Sequence, residues 1–228
     1  ASASAARAGS APRTYPTRST PIPLPPGSKT EHPTQLIAIA GPSCAGKTTL
    51  TAALCDQLGA QALPLDAYYR DFAALSASAR AAFNFDAPDA IDRERLEHDL
   101  RQWAAGEAIE IPIYDFATHA RLAQTKRLPT GVQLIVEGLF TLYWPTINAL
   151  YHRKIFIDAP AALCLTRRLA RDTVERGRSP TSIRAQYRDQ VRPSYERYIA
   201  PTAEYADVRL DGREDPSVQV AAILDHGA

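Results

Sequence analysis

Short apolar runs recur along the chain, and most are followed by a stretch whose apolar residues fall at helical spacing. Leu36–Ala40, Ala60–Leu65, Val132–Val136, Arg153–Ile157 and Ala206–Leu210 read as buried strands. Ile109–Ile113 alternates and reads as an extended segment, followed by a loop over 114–121. Helices are predicted over Thr49–Leu58, Leu75–Ala82, Ala161–Arg171 and Ile183–Tyr198. Another starts at Asp92 as N-cap and runs to Ala105, where Gly106 stops it. Within it Leu96, Leu100 and Trp103 share one face and are expected in the core. Repeated strand–helix alternation predicts a parallel β-sheet with right-handed crossovers.

Length and charge bound this picture. A chain of 228 residues makes one domain, or one domain with an appendage. A net charge of +1 gives no global field toward nucleic acid or a membrane surface. No apolar run approaches the roughly 20 residues of a membrane span. Cys44, Cys55 and Cys164 are scattered, without disulfide or zinc spacing, and point to a reducing, cytoplasmic setting. Residues 1–33 are Ala, Ser, Pro and Thr with scattered Arg, and no acid precedes Glu31. They are expected to form a disordered leader to a domain over 34–228. Their composition is also similar to an organelle transit peptide, but prolines interrupt it and no amphipathic helix is evident.

The strongest chemical signal follows the first strand. Gly41-Pro42-Ser43-Cys44-Ala45-Gly46-Lys47-Thr48 joins a strand to a helix and fits the phosphate-binding loop pattern. Two glycines let the backbone curl around a phosphate where a Cβ would clash. Loop N–H groups and the helix N-terminus supply partial positive charge. Lys47 can reach the β- and γ-phosphates, and the Thr48 hydroxyl can ligate Mg²⁺. Asp66, at the end of the second predicted strand, sits where parallel sheets bind ligands. Glu137 closes a strand and is placed to hold Mg²⁺ or its water. Tyr114, Phe116, His119 and Arg121 could stack on and hydrogen-bond a flat heterocycle. Arg167 and Arg171 share a helix face, and with Arg176 and Arg178 could close over a donor as a lid.

These stretches together resemble the uridine kinase (uridine–cytidine kinase) family of P-loop kinases. The likeness rests on Gly41 to Thr49, Asp66-Ala67-Tyr68-Tyr69-Arg70-Asp71, Asn84-Phe85-Asp86-Ala87-Pro88-Asp89-Ala90 and Pro112-Ile113-Tyr114-Asp115-Phe116-Ala117-Thr118-His119. It continues through Val136-Glu137-Gly138, the run from Arg171 to Arg178, and Tyr205-Ala206-Asp207-Val208. The resemblance implies an α/β P-loop NTPase fold, nucleoside-kinase-like, with a helical lid. It implies transfer of a phosphoryl group from ATP or GTP, with Mg²⁺, to the 5′-hydroxyl of uridine or cytidine. Asp66 would be the base, with Lys47 and Arg171 also catalytic. Gly41, Ser43, Cys44, Ala45, Gly46, Lys47, Thr48, Thr49, Arg168 and Arg176 would hold the donor. Asp86 would bind the ribose 2′- and 3′-hydroxyls beside Tyr69. Tyr114, Phe116, His119 and Arg178 would hold the pyrimidine, with Phe85 and Leu139 lining the pocket. Thr48, Glu137 and Asp66 would surround the metal. The family often forms tetramers, so a homo-oligomer is implied. Pro42, Ala45 and Cys164 depart from the family's usual Gly, Ser and Arg.

A GTPase switch would need an Asn-Lys-x-Asp motif, and neither Asn84 nor Asn148 precedes lysine. Two rivals stay open at this level. One is a kinase of the same fold acting on another nucleoside or a sugar phosphate. The other is a non-catalytic nucleotide-binding regulator.

Overall fold

The computed structural model describes residues 35–116 and 118–225, so the expectation of a disordered leader lies outside the described residues. Five strands form one parallel sheet: β1 (Leu36–Ala40), β2 (Gln61–Pro64), β5 (Leu134–Glu137), β6 (Arg153–Asp158) and β7 (Val208–Asp211). Their spatial order is β2-β5-β1-β6-β7, with β1 at the centre. All five residues of β1 are buried, as a strand covered on both faces requires. Its side chains alternate between two cores. Leu36, Ala38 and Ala40 pack with Leu96, Leu100, Trp103 and Phe140, whereas Ile37 and Ile39 pack with Leu50, Leu54, Ile155 and Ile223. Each such fully buried Leu or Ile contributes roughly 1.5–3 kcal/mol.

Helix α1 (Lys47–Leu58) leaves the glycine loop and ends on Gly59, whose φ of 65° only glycine adopts at little cost. Helices α2 (Ala77–Ala82) and α3 (Arg93–Ala104) follow, capped by the side chains of Ser76 and Asp92. The Asp92 cap and the buried Leu96, Leu100 and Trp103 agree with the sequence reading. A short helix α4 (Pro145–Asn148) lies between β5 and β6, and helix α8 (Pro216–Asp225) covers the second core beside α1. No helix among the described residues is long and apolar enough to cross a membrane.

Three elements differ from expectation. The predicted loop over 114–121 belongs mostly to a hairpin, β3 (Ile109–Asp115) against β4 (Ala120–Leu128), antiparallel and outside the main sheet. Most of β4 is exposed, so no apolar alternation announces it, and pairing with β3 makes it a strand. Helix α5 (Ala161–Arg176) runs past Arg171 because Gly177, at φ 59°, is the first residue that caps it. The predicted helix over 183–198 is broken by two π turns. α6 (Pro180–Gln186) leads into a π turn over Tyr187–Val191, then α7 (Arg192–Ser194), then a second π turn over Tyr195–Ile199. Pro193 lacks the N–H that an α-helical ladder needs there.

Candidate active site

The site lies at the carboxyl ends of β1 and β5, where the chain crosses from one side of the sheet to the other. The loop Gly41–Gly46 is shaped by three positive φ angles: Gly41 at 144°, Cys44 at 66° and Gly46 at 111°. A Cβ on Gly41 would collide with the Ile157 carbonyl, so that position admits only glycine without movement of the sheet. Lys47 is buried under the loop, its Nζ donating to the carbonyls of Gly41 (3.0 Å) and Pro42 (2.9 Å). Burial lowers its pKa, while the carboxylates of Glu137 and Asp66 oppose that shift. The Thr48 hydroxyl donates to Glu137 Oε1 at 3.1 Å. Thr49, one residue further, is exposed.

Asp66 does not end a strand, as the sequence reading had it. β2 stops at Pro64, and a 3₁₀ turn over Leu65–Tyr68 carries the half-buried Asp66. Gly138 makes room for this turn, because a Cβ there would run into the Leu65 side chain. Arg121 holds the turn from the hairpin side. Its guanidinium donates to the carbonyls of Tyr69 (2.9 Å) and Tyr68 (3.3 Å) and to Asp92 Oδ2 (2.9 Å).

An aromatic cluster stands next to that turn. Tyr69 lies 5.4 Å from Tyr114 and 6.2 Å from Phe116, centre to centre. His119 stacks on Phe85 at 4.7 Å and 27°. Phe72 and Phe83 back Phe85 at 5.2 and 5.1 Å. The Tyr69 hydroxyl donates to the Phe85 carbonyl, and the Asn84 side chain accepts from Asp86 N–H and donates to Ser194. Asp86 is buried, which raises its pKa against the pull of Arg168. His119 is shifted down by burial and by Arg80, so its imidazole is neutral at pH 7. Two buried polar atoms of this cluster, Tyr114 Oη and His119 Nδ1, have no hydrogen-bond partner in the described chain.

The arginines close the site from above. Arg167 donates to the carbonyls of Cys44 and Ala45, and Arg168 donates to Ser43 Oγ at 3.1 Å. Arg168, Arg171, Arg176 and Arg178 surround Asp172. Arg178 donates to Gln186 and Ser182 rather than lying on an aromatic ring, and Gln186 Oε1 also accepts from Arg168. A narrow cleft opens beside the loop, lined by Pro42, Ser43, Asp86, Leu139, Cys164 and Tyr195 among others.

The structure thus groups Lys47, Thr48 and Glu137 at the loop and Tyr69, Phe85, Tyr114, Phe116 and His119 in an aromatic cluster beside the Asp66 turn, while Thr49 is exposed and Arg178 lies on Gln186 and Ser182. Sequence reasoning missed Phe72, Phe83, Asp172 and Gln186, and gave Arg121 the wrong task. Phe83, two residues from Phe85, and Asp172, among four arginines, carried a local signal; Phe72 and Gln186 carried none. Among the described residues no group of three or more His, Cys, Asp or Glu could hold a metal by itself. The Thr48 hydroxyl and Glu137 carboxylate are the oxygen donors that suit Mg²⁺, which needs few protein ligands when phosphates supply others.

The chain is similar to known proteins over most of this architecture. A uridine kinase of Chloroflexus aggregans is 41% identical over 180 residues, 78% of this chain and 86% of that relative. A uridine kinase of Shewanella amazonensis is 38% identical, over 76% of this chain and 85% of its own. Among solved structures, phosphoribulokinase from Rhodobacter spheroides superposes with a TM-score of 0.60 at 18% identity, covering 78% of this chain and 70% of that one. D-glycerate 3-kinase from Cryptococcus neoformans also gives 0.60, at 14% identity, over 83% of this chain and 90% of that one. Those two likenesses show the fold, a parallel sheet with a phosphate loop. The model of the phosphoribulokinase / uridine kinase family matches residues 36–219, and the chain belongs to that family of kinases.

Proposed function

We propose that this kinase transfers the γ-phosphoryl group of ATP or GTP, with Mg²⁺, to the 5′-hydroxyl of a pyrimidine ribonucleoside, uridine or cytidine. The observation that carries the reading is the aromatic cluster beside the turn that carries Asp66, in which Tyr114 Oη and His119 Nδ1 have no hydrogen-bond partner among the described residues. A flat ring fits between aromatic faces, and the polar edge of a pyrimidine supplies the missing partners. The relatives named uridine kinase, at 37–41% identity, support the same choice.

The residues divide the work. The loop N–H groups, Lys47 and the lid arginines Arg168, Arg171 and Arg176 surround the triphosphate and stabilise charge on its oxygens. Thr48, Glu137 and Asp66 hold the metal, which when bound neutralises phosphate charge. Asp86 accepts hydrogen bonds from the ribose 2′- and 3′-hydroxyls, and Tyr69 packs against the sugar. Asp66 orients the 5′-hydroxyl and accepts its proton as the new P–O bond forms. Phe85, Tyr114, Phe116 and Leu139 enclose the base, and the closed lid keeps water from competing with the 5′-hydroxyl.

Neutral His119 carries one donor and one acceptor nitrogen, so it serves uracil O4 or cytosine N4–H alike. A phosphorylation assay over a panel of nucleosides, 2′-deoxynucleosides and sugar phosphates tests the reading. Uridine and cytidine should be the best acceptors, with the deoxy forms poorer. Turnover only with purine nucleosides or a sugar phosphate would overturn it.

A further inference from the structure

Arg121 belongs to β4, opposite Tyr114, yet its guanidinium serves two other segments. Nε donates to the Tyr69 carbonyl at 2.9 Å, and one terminal nitrogen donates to the Tyr68 carbonyl at 3.3 Å. The other terminal nitrogen donates to Asp92 Oδ2 at 2.9 Å. Asp92 Oδ1 in turn caps α3 by accepting from the Arg95 N–H. One planar fork thus joins the hairpin, the turn that carries Asp66 and the start of α3. A lysine ammonium, a single nitrogen on a flexible stem, does not reproduce that fork.

A second link runs beside the first. His119, at a φ of 56°, presents its carbonyl to the Phe72 N–H at 3.0 Å. The same turn is held from the α3 side by backbone alone. The Asp92 N–H donates to the Tyr68 carbonyl at 2.8 Å, and Tyr69 bridges to Ile91.

Asp66 depends on these ties more than its neighbours do. Among the described residues no side chain hydrogen-bonds or ion-pairs with its carboxylate. Its position therefore follows from the backbone of the 3₁₀ turn over Leu65–Tyr68. Arg121 grips the last residue of that turn and the residue after it. The Asp66 charge acts on Lys47 under the phosphate loop, and on Asp86 and Tyr69 beside the aromatic cluster. A shift of this turn by about 1 Å is enough to cost on the order of 10²-fold in rate if a reacting group rides on it.

Resting on the reading of Asp66 above, we propose that Arg121 is a positioning residue for phosphoryl transfer. Its fork sets the Asp66 turn against the hairpin that carries Tyr114 and His119. A base seated on that hairpin and the carboxylate facing the phosphate loop are then held in one fixed relation.

The test is a double-mutant cycle on kcat, with uridine and Mg²⁺-ATP, in the full chain. Arg121→Lys keeps the charge and loses the fork, so kcat should fall by roughly 10–10²-fold. The affinity for a non-hydrolysable triphosphate analogue, by calorimetry, should stay at the wild-type value. In the Asp66→Asn background the same substitution should cost almost nothing further, because the group it positions is gone. A residue that only holds the fold together would lower the melting temperature and leave the kcat of the folded enzyme unchanged. That result, or a loss that multiplies onto the loss of Asp66→Asn, would overturn the proposal. Should Arg121→Lys not fold, Asp92→Asn keeps the helix cap and removes the charge that aligns the guanidinium. It should show a smaller fall in kcat that likewise vanishes in the Asp66→Asn background, and a fall that persists there would count against the proposal. An Asp66→Asn enzyme with kcat near wild type would overturn the reading of Asp66 itself, and the proposal with it.

Discussion

The proposed donor and acceptor halves of the crevice are built in opposite ways. The donor half is mostly backbone. Eight consecutive residues, Gly41 to Thr48, set its shape through positive φ angles and a buried lysine. The acceptor half is mostly side chain. It gathers the Asp66–Tyr69 turn, the Phe83–Asp86 segment, the β3–β4 hairpin and the lid, which lie far apart in the chain. A contiguous half tolerates few changes at few positions. A gathered half can be retuned piecewise.

The largest effect is expected at the donor end. Lys47→Ala should lower kcat on the order of 10³-fold while circular dichroism and nucleoside binding stay close to wild type. Turnover near wild type in that variant would remove the loop from the mechanism. A smaller effect is expected where the halves meet. Gly138→Ala drives a Cβ into Leu65, displacing the turn that carries Asp66. Its kcat should fall by roughly 10²-fold with triphosphate affinity preserved, as a misplaced reacting group predicts. Loss of donor affinity instead would mean that the two halves are not separable.

The smallest expected effect lies at the base. The His119 pKa is lowered, first by burial, so the ring takes up its proton only below the usual histidine value near 6.5. Protonated imidazole has two donors and no acceptor. Uracil O4 keeps its partner, while cytosine N4–H loses one. The ratio of kcat/KM for cytidine to that for uridine should therefore fall as pH drops below about 6.5, by roughly tenfold for one lost hydrogen bond. A ratio flat with pH would take His119 away from the exocyclic group.

This asymmetry also explains what could be read in the chain. The phosphate loop was legible because its conformational demands fall on adjacent residues. Strands β1 and β5 were legible because both faces are buried. The hairpin was not, since β4 is polar on both faces and only its pairing with β3 makes it a strand. Asp66 was found, but on a strand end instead of a 3₁₀ turn, because Pro64 ends the ladder one step earlier. Asp172 stands in a run of charged residues, and its complete burial shows only in the structure. Arg121 looked like a base-stacking residue, yet β-pairing opposite Tyr114 points it at the turn that carries Asp66.

The account's central claim is that the two acceptor-side carboxylates have different tasks, Asp66 in the chemistry and Asp86 in ribose binding. Steady-state kinetics of Asp66→Asn and Asp86→Asn with uridine and 2′-deoxyuridine test it most directly. Asp66→Asn should lower kcat by roughly 10²–10⁴-fold, the loss typical of a general base, with the uridine KM little changed. Asp86→Asn should chiefly raise the uridine KM and narrow the gap between uridine and 2′-deoxyuridine, because it removes binding common to ground and transition states. The reverse pattern, with kcat kept in Asp66→Asn and lost in Asp86→Asn, would contradict the assignment of both.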